Sequence, residues 1–457
     1  MAGSRRVLDL LLIMILAVSL QACRLAAPIL APNAPVPSDV YSADGSVGGQ
    51  GPHPVLLASG SATAYEPQLT LRKAVARAIR YSPVLRAASA ELDAKHAETF
   101  QAGRLPNPEF EGEIENFAGS GEFQGFKSAE TTIGLAQVIE LGGKRVKRVE
   151  VADLGAALAA WDYEAVRLKV ATQTAQLFID VLAGQRRVAI LGEFVELNQK
   201  FRDSVAERVQ AGRVNEAELQ RADVELGRAK VQLAEERARL EVFRRQLSLT
   251  WGAQRLNFGE AQGSLAMTNH LPDADRLNQH LNQHPDVARW TEEMARRQAI
   301  HRLAMSEAVP DLTVGASVRR LDETEDTAAV ARLGIELPVF DRNRGNVEAA
   351  GRRIAQSEYQ RQAARNALTS RFIAAYGLLQ ASEAKLRGLQ RDVIPAAEKA
   401  NQATDQGYRE GKFDLLRVLD AQRALLQARL DLVNTRAAFH KAKTRVEALV
   451  GRGLYGL

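Results

Sequence analysis

The chain has 457 residues, 46% of them hydrophobic, and its 60 lysines and arginines nearly balance 55 aspartates and glutamates. The formal charge of +5 is spread through mixed-charge segments rather than gathered in blocks, which excludes a basic patch for nucleic acid. A single cysteine, Cys23, excludes an internal disulfide framework.

Arg5 and Arg6 precede an apolar run from Val7 to Val18 broken only by Asp9, the order of a secretory signal and too short to span a bilayer. Leu20-Gln21-Ala22-Cys23 has the pattern of a bacterial lipobox, which predicts a signal peptide over 1–22 and a lipid on Cys23. Residue 24 is arginine rather than the aspartate associated with inner-membrane retention, so outer-membrane lipid is the expected anchor. Residues 23–65, rich in Pro, Ala, Gly and Ser, read as a tether. No second apolar run of about eighteen residues follows, so any deeper membrane crossing must use strands.

From there the chain repeats itself at a spacing of about 200 residues, the signature of a duplicated half rather than a solenoid. Tyr81-Ser82-Pro83-Val84 is answered by Gln283-His284-Pro285-Asp286, Leu105-Pro106-Asn107 by Val309-Pro310-Asp311, and Ala211-Gly212-Arg213 by Glu410-Gly411-Lys412. The predicted first repeat, 66–265, holds a helix, a β-hairpin over 109–138, a long helix over 144–210 and a return helix over 215–250. The second, 266–457, holds a helix, a hairpin over 311–339, a long helix over 346–406 kinked at Pro395, and a return helix over 414–449. At about 1.5 Å per residue the first long helix reaches roughly 100 Å. Each return helix carries a strict heptad seam, Leu219, Leu226, Leu233, Leu240 and Leu247 in one, Val418, Leu425, Leu432, Phe439 and Val446 in the other, as in helices packed lengthwise.

The hairpin segments alternate. Phe110, Gly112 and Ile114 interleave with Glu109, Glu111, Glu113 and Glu115, and Leu312, Val314, Ala316 and Val318 with Thr313, Gly315, Ser317 and Arg319. Partner runs Thr131–Ala136 and Val330–Leu337 do the same. One face is mainly apolar and the other polar or small, which fits lipid on one side and water on the other. The intervening loops, 118–128 and 321–327, read as polar and facing the cell exterior. An open sheet edge is untenable in hydrocarbon, and four strands cannot enclose a usable lumen, so several protomers must contribute. Three give twelve strands. The four glutamates are then candidates for an acidic lumen, partly offset by Arg319 and Arg332.

This order of lipobox, helix, hairpin, long helix, glycine turn and return helix, repeated once, resembles the TolC-like outer-membrane efflux factor family. The likeness runs from Leu69 onward. Leu105-Pro106-Asn107-Pro108, Glu115-Asn116 and Ile139-Glu140-Leu141-Gly142-Gly143-Lys144-Arg145 are similar to the cobalt-zinc-cadmium resistance, or CzcC-like, branch. The resemblance implies an α/β membrane protein: a homotrimer with a twelve-stranded transmembrane β-barrel, four strands per protomer, continued by a long periplasmic α-helical coiled-coil barrel. It implies a passive exit duct for divalent heavy-metal cations, with a periplasmic membrane-fusion adaptor and an inner-membrane RND pump as partners. On that analogy the glycine turns are tips, with Arg208, Gly212, Arg213, Gly411 and Lys412 as candidates for adaptor docking. Tyr408, Asp420 and Glu218 are candidates for a periplasmic gate, Glu218 taking in the first half the acidic place that Asp420 takes in the second. Arg417 stands where some members carry a further aspartate. A three-fold axis turns each such carboxylate into a ring that favours cations.

Signals of catalysis are lacking: the sequence has no P-loop, zinc-protease helix or nucleophile elbow, and no cofactor is expected. His280 and His284, four apart with Asp286 nearby, invite a metal-site reading, but two histidines seldom suffice, and they read as an ordinary surface pair. Two alternatives stay open: the same duct serving drugs or secreted polypeptides, and a periplasmic coiled-coil structural lipoprotein that forms no barrel.

Overall fold

The computed structural model describes residues 64–266 and 273–451. The signal peptide, Cys23 and all but the last two residues of the tether lie outside the described residues. In chain order the main elements are β1 (Glu66–Thr70), α1 (Leu71–Tyr81), α2 (Pro83–Ala102), β2 (Glu109–Glu115), β3 (Glu130–Ile139), α3 (Lys144–Gln210), α4 (Glu216–Leu249) and β4 (Phe258–Gln262). The second half continues with α5 (Trp290–Glu307), β5 (Leu312–Leu321), β6 (Asp326–Ile335), α6 (Arg344–Gly388), α7 (Ile394–Arg409) and α8 (Leu415–Val450). The two halves thus share the succession helix, hairpin, long helix, return helix.

Two compact units divide the described chain. The first, residues 95–157 and 295–350, is built on a four-stranded antiparallel sheet of order β2-β3-β5-β6. β3 and β5 pair along ten residues, from Glu130↔Leu321 to Ile139↔Leu312, so the two hairpins form one continuous sheet. Each hairpin ends on a glycine- or proline-bearing segment that cannot prolong the ladder. β6 stops at Ile335, short of the predicted Leu337, and Pro338 follows without an N–H to donate.

The halves are joined at the base of the sheet by residues from both. Gly142 and Gly143, at φ 67° and 70°, turn the chain in the left-handed region open to glycine. That turn aims Lys144 Nζ and the Leu141 N–H at one oxygen of Asp311, 2.7 and 3.0 Å away. Arg148 closes back on Glu140 at 2.6 and 3.1 Å and donates to the Ala102 carbonyl. Two landmarks of the sequence, Ile139–Arg145 and Val309–Asp311, are therefore one structure.

The second unit comprises 64–94, 158–294 and 351–451, less the residues outside the description. One core gathers Leu69, Val75, Phe178, Leu247, Trp251 and Phe258, and the Trp251 indole donates to Asn257 Oδ1 at 3.2 Å. β1 and β4 pair in parallel over this core. These two five-residue strands were not legible in the sequence, because neither alternates long enough to show a period. None of the ten heptad residues of α4 and α8 is exposed, and the seam is cross-linked by Arg187, which reaches Glu236 at 2.6 Å and Asn434 at 3.1 Å.

The interruption expected at Pro395 takes another form. Leu389–Val393 form a π-turn between α6 and α7, and the Ile394 N–H donates to the Leu389 carbonyl. Proline lacks the N–H for an ordinary helical bond and its ring crowds the preceding turn, so widening the turn just before it lets the helix continue without a break.

Candidate functional site

The sheet is polarised in an unusual sense. Its register puts Glu109, Glu111, Glu113, Glu115, Glu130 and Thr132 on one face with Thr313, Gly315, Ser317, Arg319 and Arg332. Phe110, Ile114, Ile133, Leu135, Val314, Val318 and Leu333 point to the other. In a water-soluble protein the apolar face would be covered. Here Phe110 is 73% and Leu333 75% exposed, whereas Thr132 on the polar face is 6% exposed. A contiguous uncovered apolar sheet face demands an apolar surrounding.

The structure brings the four predicted lumen acids together along β2 but treats them differently. Arg332 Nη1 lies 2.9 and 2.8 Å from the two oxygens of Glu111. Arg319 is held by Glu130 at 2.7 Å, Glu115 at 3.3 Å and the Thr132 hydroxyl at 3.0 Å. Glu109 and Glu113 have no such partner among the described residues. The β2–β3 loop departs from its polar reading. It folds on itself through Ala118 N–H to Gly125 O and Gly119 N–H to Phe123 O bonds, both 2.9 Å, stacks Phe117 on Phe126 and leaves both rings and Phe123 exposed.

In the second unit the two glycine turns share one backbone plan. Gly212 and Gly411 sit at φ 68° and 74°, and the next residue's N–H, from Arg213 and Lys412, reaches back to the carbonyls of Arg208 and Gly407 at 2.9 and 2.8 Å. Asn215 and Asp414 then cap α4 and α8 by accepting from the N–H groups of Glu218 and Arg417. These caps fix the correspondence between halves and correct the sequence reading: Glu218 answers Arg417, and the residue answering Asp420 is Arg221.

Arg208 lies 4.6 Å from the centre of the Tyr408 ring and donates, at 3.4 Å each, to the Tyr408 and Arg409 carbonyls that end α7. Tyr408 is buried against Phe201 and Leu415 and donates to Glu218 at a long 3.4 Å. Burial first, and the Glu218 carboxylate second, push its phenol above the usual range. Gly407 is required by its neighbour, since a Cβ there would stand 2.3 Å from the Phe413 ring. Lys412 pairs with Glu410 at 2.6 Å, holding that carboxyl below its ordinary value, whereas the exposed Arg213 side chain has no partner among the described residues. Asp420 is exposed and accepts from Arg423 at 3.2 Å, and Arg423 also pairs with the buried Glu225.

The histidines differ from the expected surface pair. His284 is buried and its Nδ1 accepts the Asp286 N–H at 3.1 Å, capping a short helical turn. Burial, and to a lesser extent Arg371, lower its pKa against the opposing pull of Asp286. Among the described residues no group of three or more His, Cys, Asp or Glu is placed to hold a metal, and no helix is long and apolar enough to cross a membrane.

Known proteins resemble this chain in sequence and in fold. The family described as Outer membrane efflux protein matches residues 74–253 and 277–452. The cobalt-zinc-cadmium resistance protein CzcC of Cupriavidus metallidurans is 34% identical over 385 residues, covering 84% of this chain and 90% of that protein. The nickel-cobalt-cadmium resistance protein NccC of Alcaligenes xylosoxydans xylosoxydans is 25% identical, over 66% of this chain and 68% of its own length. Among solved structures, CusC superposes with a TM-score of 0.73 at 19% identity, over 87% of this chain and 96% of that one. The open state of the Neisseria gonorrhoeae MtrE outer-membrane channel gives 0.70 at 17% identity, over 84% and 89%.

Proposed function

Because the chain belongs to the outer membrane efflux protein family, whose channels share its two-repeat α/β fold, we propose that it is the outer-membrane channel of a tripartite efflux system, exporting divalent heavy-metal cations. The cargo follows from its relatives: a protein 34% identical along nearly its whole length is named for cobalt, zinc and cadmium resistance.

The observation that carries the channel reading is the two-sided sheet, whose apolar face stands uncovered while its charged residues gather on the other. Four strands leave two open edges, β2 and β6, which hydrocarbon does not tolerate. Three copies close them as a twelve-stranded barrel with the glutamate face on water, and the helical part belongs to the periplasm. In this reading Cys23 carries the lipid anchor. The turns at Gly212 and Gly411 present Arg213 and Lys412 to a membrane-fusion adaptor, which links the duct to an inner-membrane RND pump that supplies the energy. Arg208 serves docking indirectly, by fixing the second turn through Tyr408. Asp420 and Glu218, repeated about the three-fold axis, narrow the entrance.

The test is metal accumulation and survival in a strain lacking this protein, challenged in turn with zinc, cobalt, cadmium, nickel, copper and a panel of organic drugs. Retention of one or a few metals, reversed by the intact gene, is the expected result. Sensitivity to drugs alone would keep the duct and overturn the cargo. A protein extracted without any SDS-resistant oligomer would favour a structural lipoprotein.

A further inference from the structure

We propose that Arg332 tempers the cation preference of the duct, acting as a positive bar laid across the water-facing side of the sheet. The inference deepens the channel reading and rests on it.

Arg332 stands on β6 and Glu111 on β2, the two edge strands, with β3 and β5 between them. Three strand spacings of about 4.8 Å separate the two backbones, and the pair crosses them diagonally, because Glu109 rather than Glu111 stands in line with Arg332. Such a span is possible only if nothing stands up beneath it. The register supplies that floor: Arg332 faces Gly315, Gly315 faces Ala136, and Glu111 faces Gly134. Gly134 admits nothing larger, because a Cβ there would lie 2.3 Å from Ser317 Cβ and 2.7 Å from the Ala316 carbonyl oxygen.

The bar divides an otherwise continuous acid row. Glu109, Glu111 and Glu113 are successive residues on one strand face, about 7 Å apart. With Glu111 paired, its neighbours remain as two separate unpaired carboxylates. Without Arg332 all three act on an ion that passes within about a Debye length, roughly 10 Å at 0.1 M salt, of the wall. Both partners are partly exposed, with side chains 53% and 36% accessible, so the bridge contributes little to folding and can be removed without losing the barrel. Arg319 cannot play this part, because Glu115, Glu130 and Thr132 already enclose it at the end of the sheet.

The experiment is reversal potential in a potassium chloride gradient across planar bilayers holding the purified full-length protein. Arg332→Ala should raise the cation-to-anion permeability ratio about two- to fivefold over the wild-type protein, and Arg332→Glu should raise it further. Glu111→Gln, which leaves Arg332 unpaired, should lower it, and Arg332→Lys should stay near wild type. Arg320→Ala is the control: it removes the same charge from the opposite face of the sheet, where Arg320 pairs with Asp322, and should leave the ratio unchanged. Channels whose ratio does not respond to Arg332→Ala or Glu111→Gln, or responds equally to Arg320→Ala, would overturn the proposal while keeping the duct. A full-length protein that assembles into no trimer in the membrane would overturn the duct reading and this inference together.

Discussion

The first and second halves of the chain build the same elements and then give them complementary charges. The first hairpin carries four glutamates on the polar face of β2; the second answers with Arg332 and Arg319. At the base of the sheet the direction reverses, and Lys144 of the first half reaches Asp311 of the second. At the turns Arg208 of the first half covers Tyr408 of the second. In each case a cation of one half meets an acceptor of the other, within a single compact unit. A duplicated chain that began as two equal copies is thereby no longer two exchangeable copies. Each half is incomplete without its sibling, which is why the repeat is plain in backbone and faint in side chains.

The most damaging way to break this complementarity is at the seam between hairpins. Gly134→Val should cost about 3 kcal/mol or more, since overpacking is met by backbone on the neighbouring strand. The heat-modifiable oligomer on SDS gels should be lost, while Gly227→Ala, at an open helical position, should keep it. Asp311→Asn should cost roughly 1–3 kcal/mol at neutral pH by leaving Lys144 and the Leu141 N–H without their carboxylate. Burial alone would raise the Asp311 pKa, but Lys144, the Leu141 N–H and Arg148 outweigh it and hold it low. A lowered folded pKa stabilises above the unfolded value near 3.9 and loses that contribution as pH falls through the folded value. The gap between wild type and Asp311→Asn in thermal unfolding should therefore be open at pH 7 and close in strong acid.

Equivalent positions sharpen the comparison. Following the heptads, Ser248 in α4 corresponds to Glu447 in α8. Ser248 is buried and satisfied by the Arg244 carbonyl, whereas burial raises the Glu447 carboxyl to about 7, opposed by Lys443. Raising an acid's folded pKa penalises its ionised form, so the handicap is absent below about pH 4 and complete above pH 7. Glu447→Gln should gain roughly 1–2 kcal/mol over wild type at pH 8 and nothing at pH 4, read by urea unfolding. Arg208→Ala should cost about 1 kcal/mol by removing the cation from the Tyr408 ring and two long hydrogen bonds. Tyr408→Phe should cost less than about 0.5 kcal/mol, because the hydroxyl's contact with Glu218 is already 3.4 Å long.

Much of this was visible in the residues themselves. The heptads announced the helical seams because period and burial coincide over five repeats, and the alternation from Glu109 to Glu115 announced a two-sided strand. Other features could not be read from one dimension. β1 and β4 are too short to carry a period. The pairing of Glu111 with Arg332 joins residues 221 apart, and nothing local distinguishes Glu111 from Glu109 or Glu113. The match between Glu218 and Arg417 needed the helix caps, since capping residues, rather than the nearest acid, mark equivalent places.

The channel reading requires that the exposed apolar face meet lipid and the glutamate face meet water. Single cysteines at Phe110→Cys, Leu135→Cys and Leu333→Cys on one face, and at Glu109→Cys, Glu113→Cys and Ser317→Cys on the other, each in a Cys23→Ser background, can be labelled with a fluorophore in reconstituted protein. Lipid-borne quenchers should quench the first three labels and water-soluble quenchers the last three. Equal aqueous quenching on both faces would show that the sheet does not line a membrane duct.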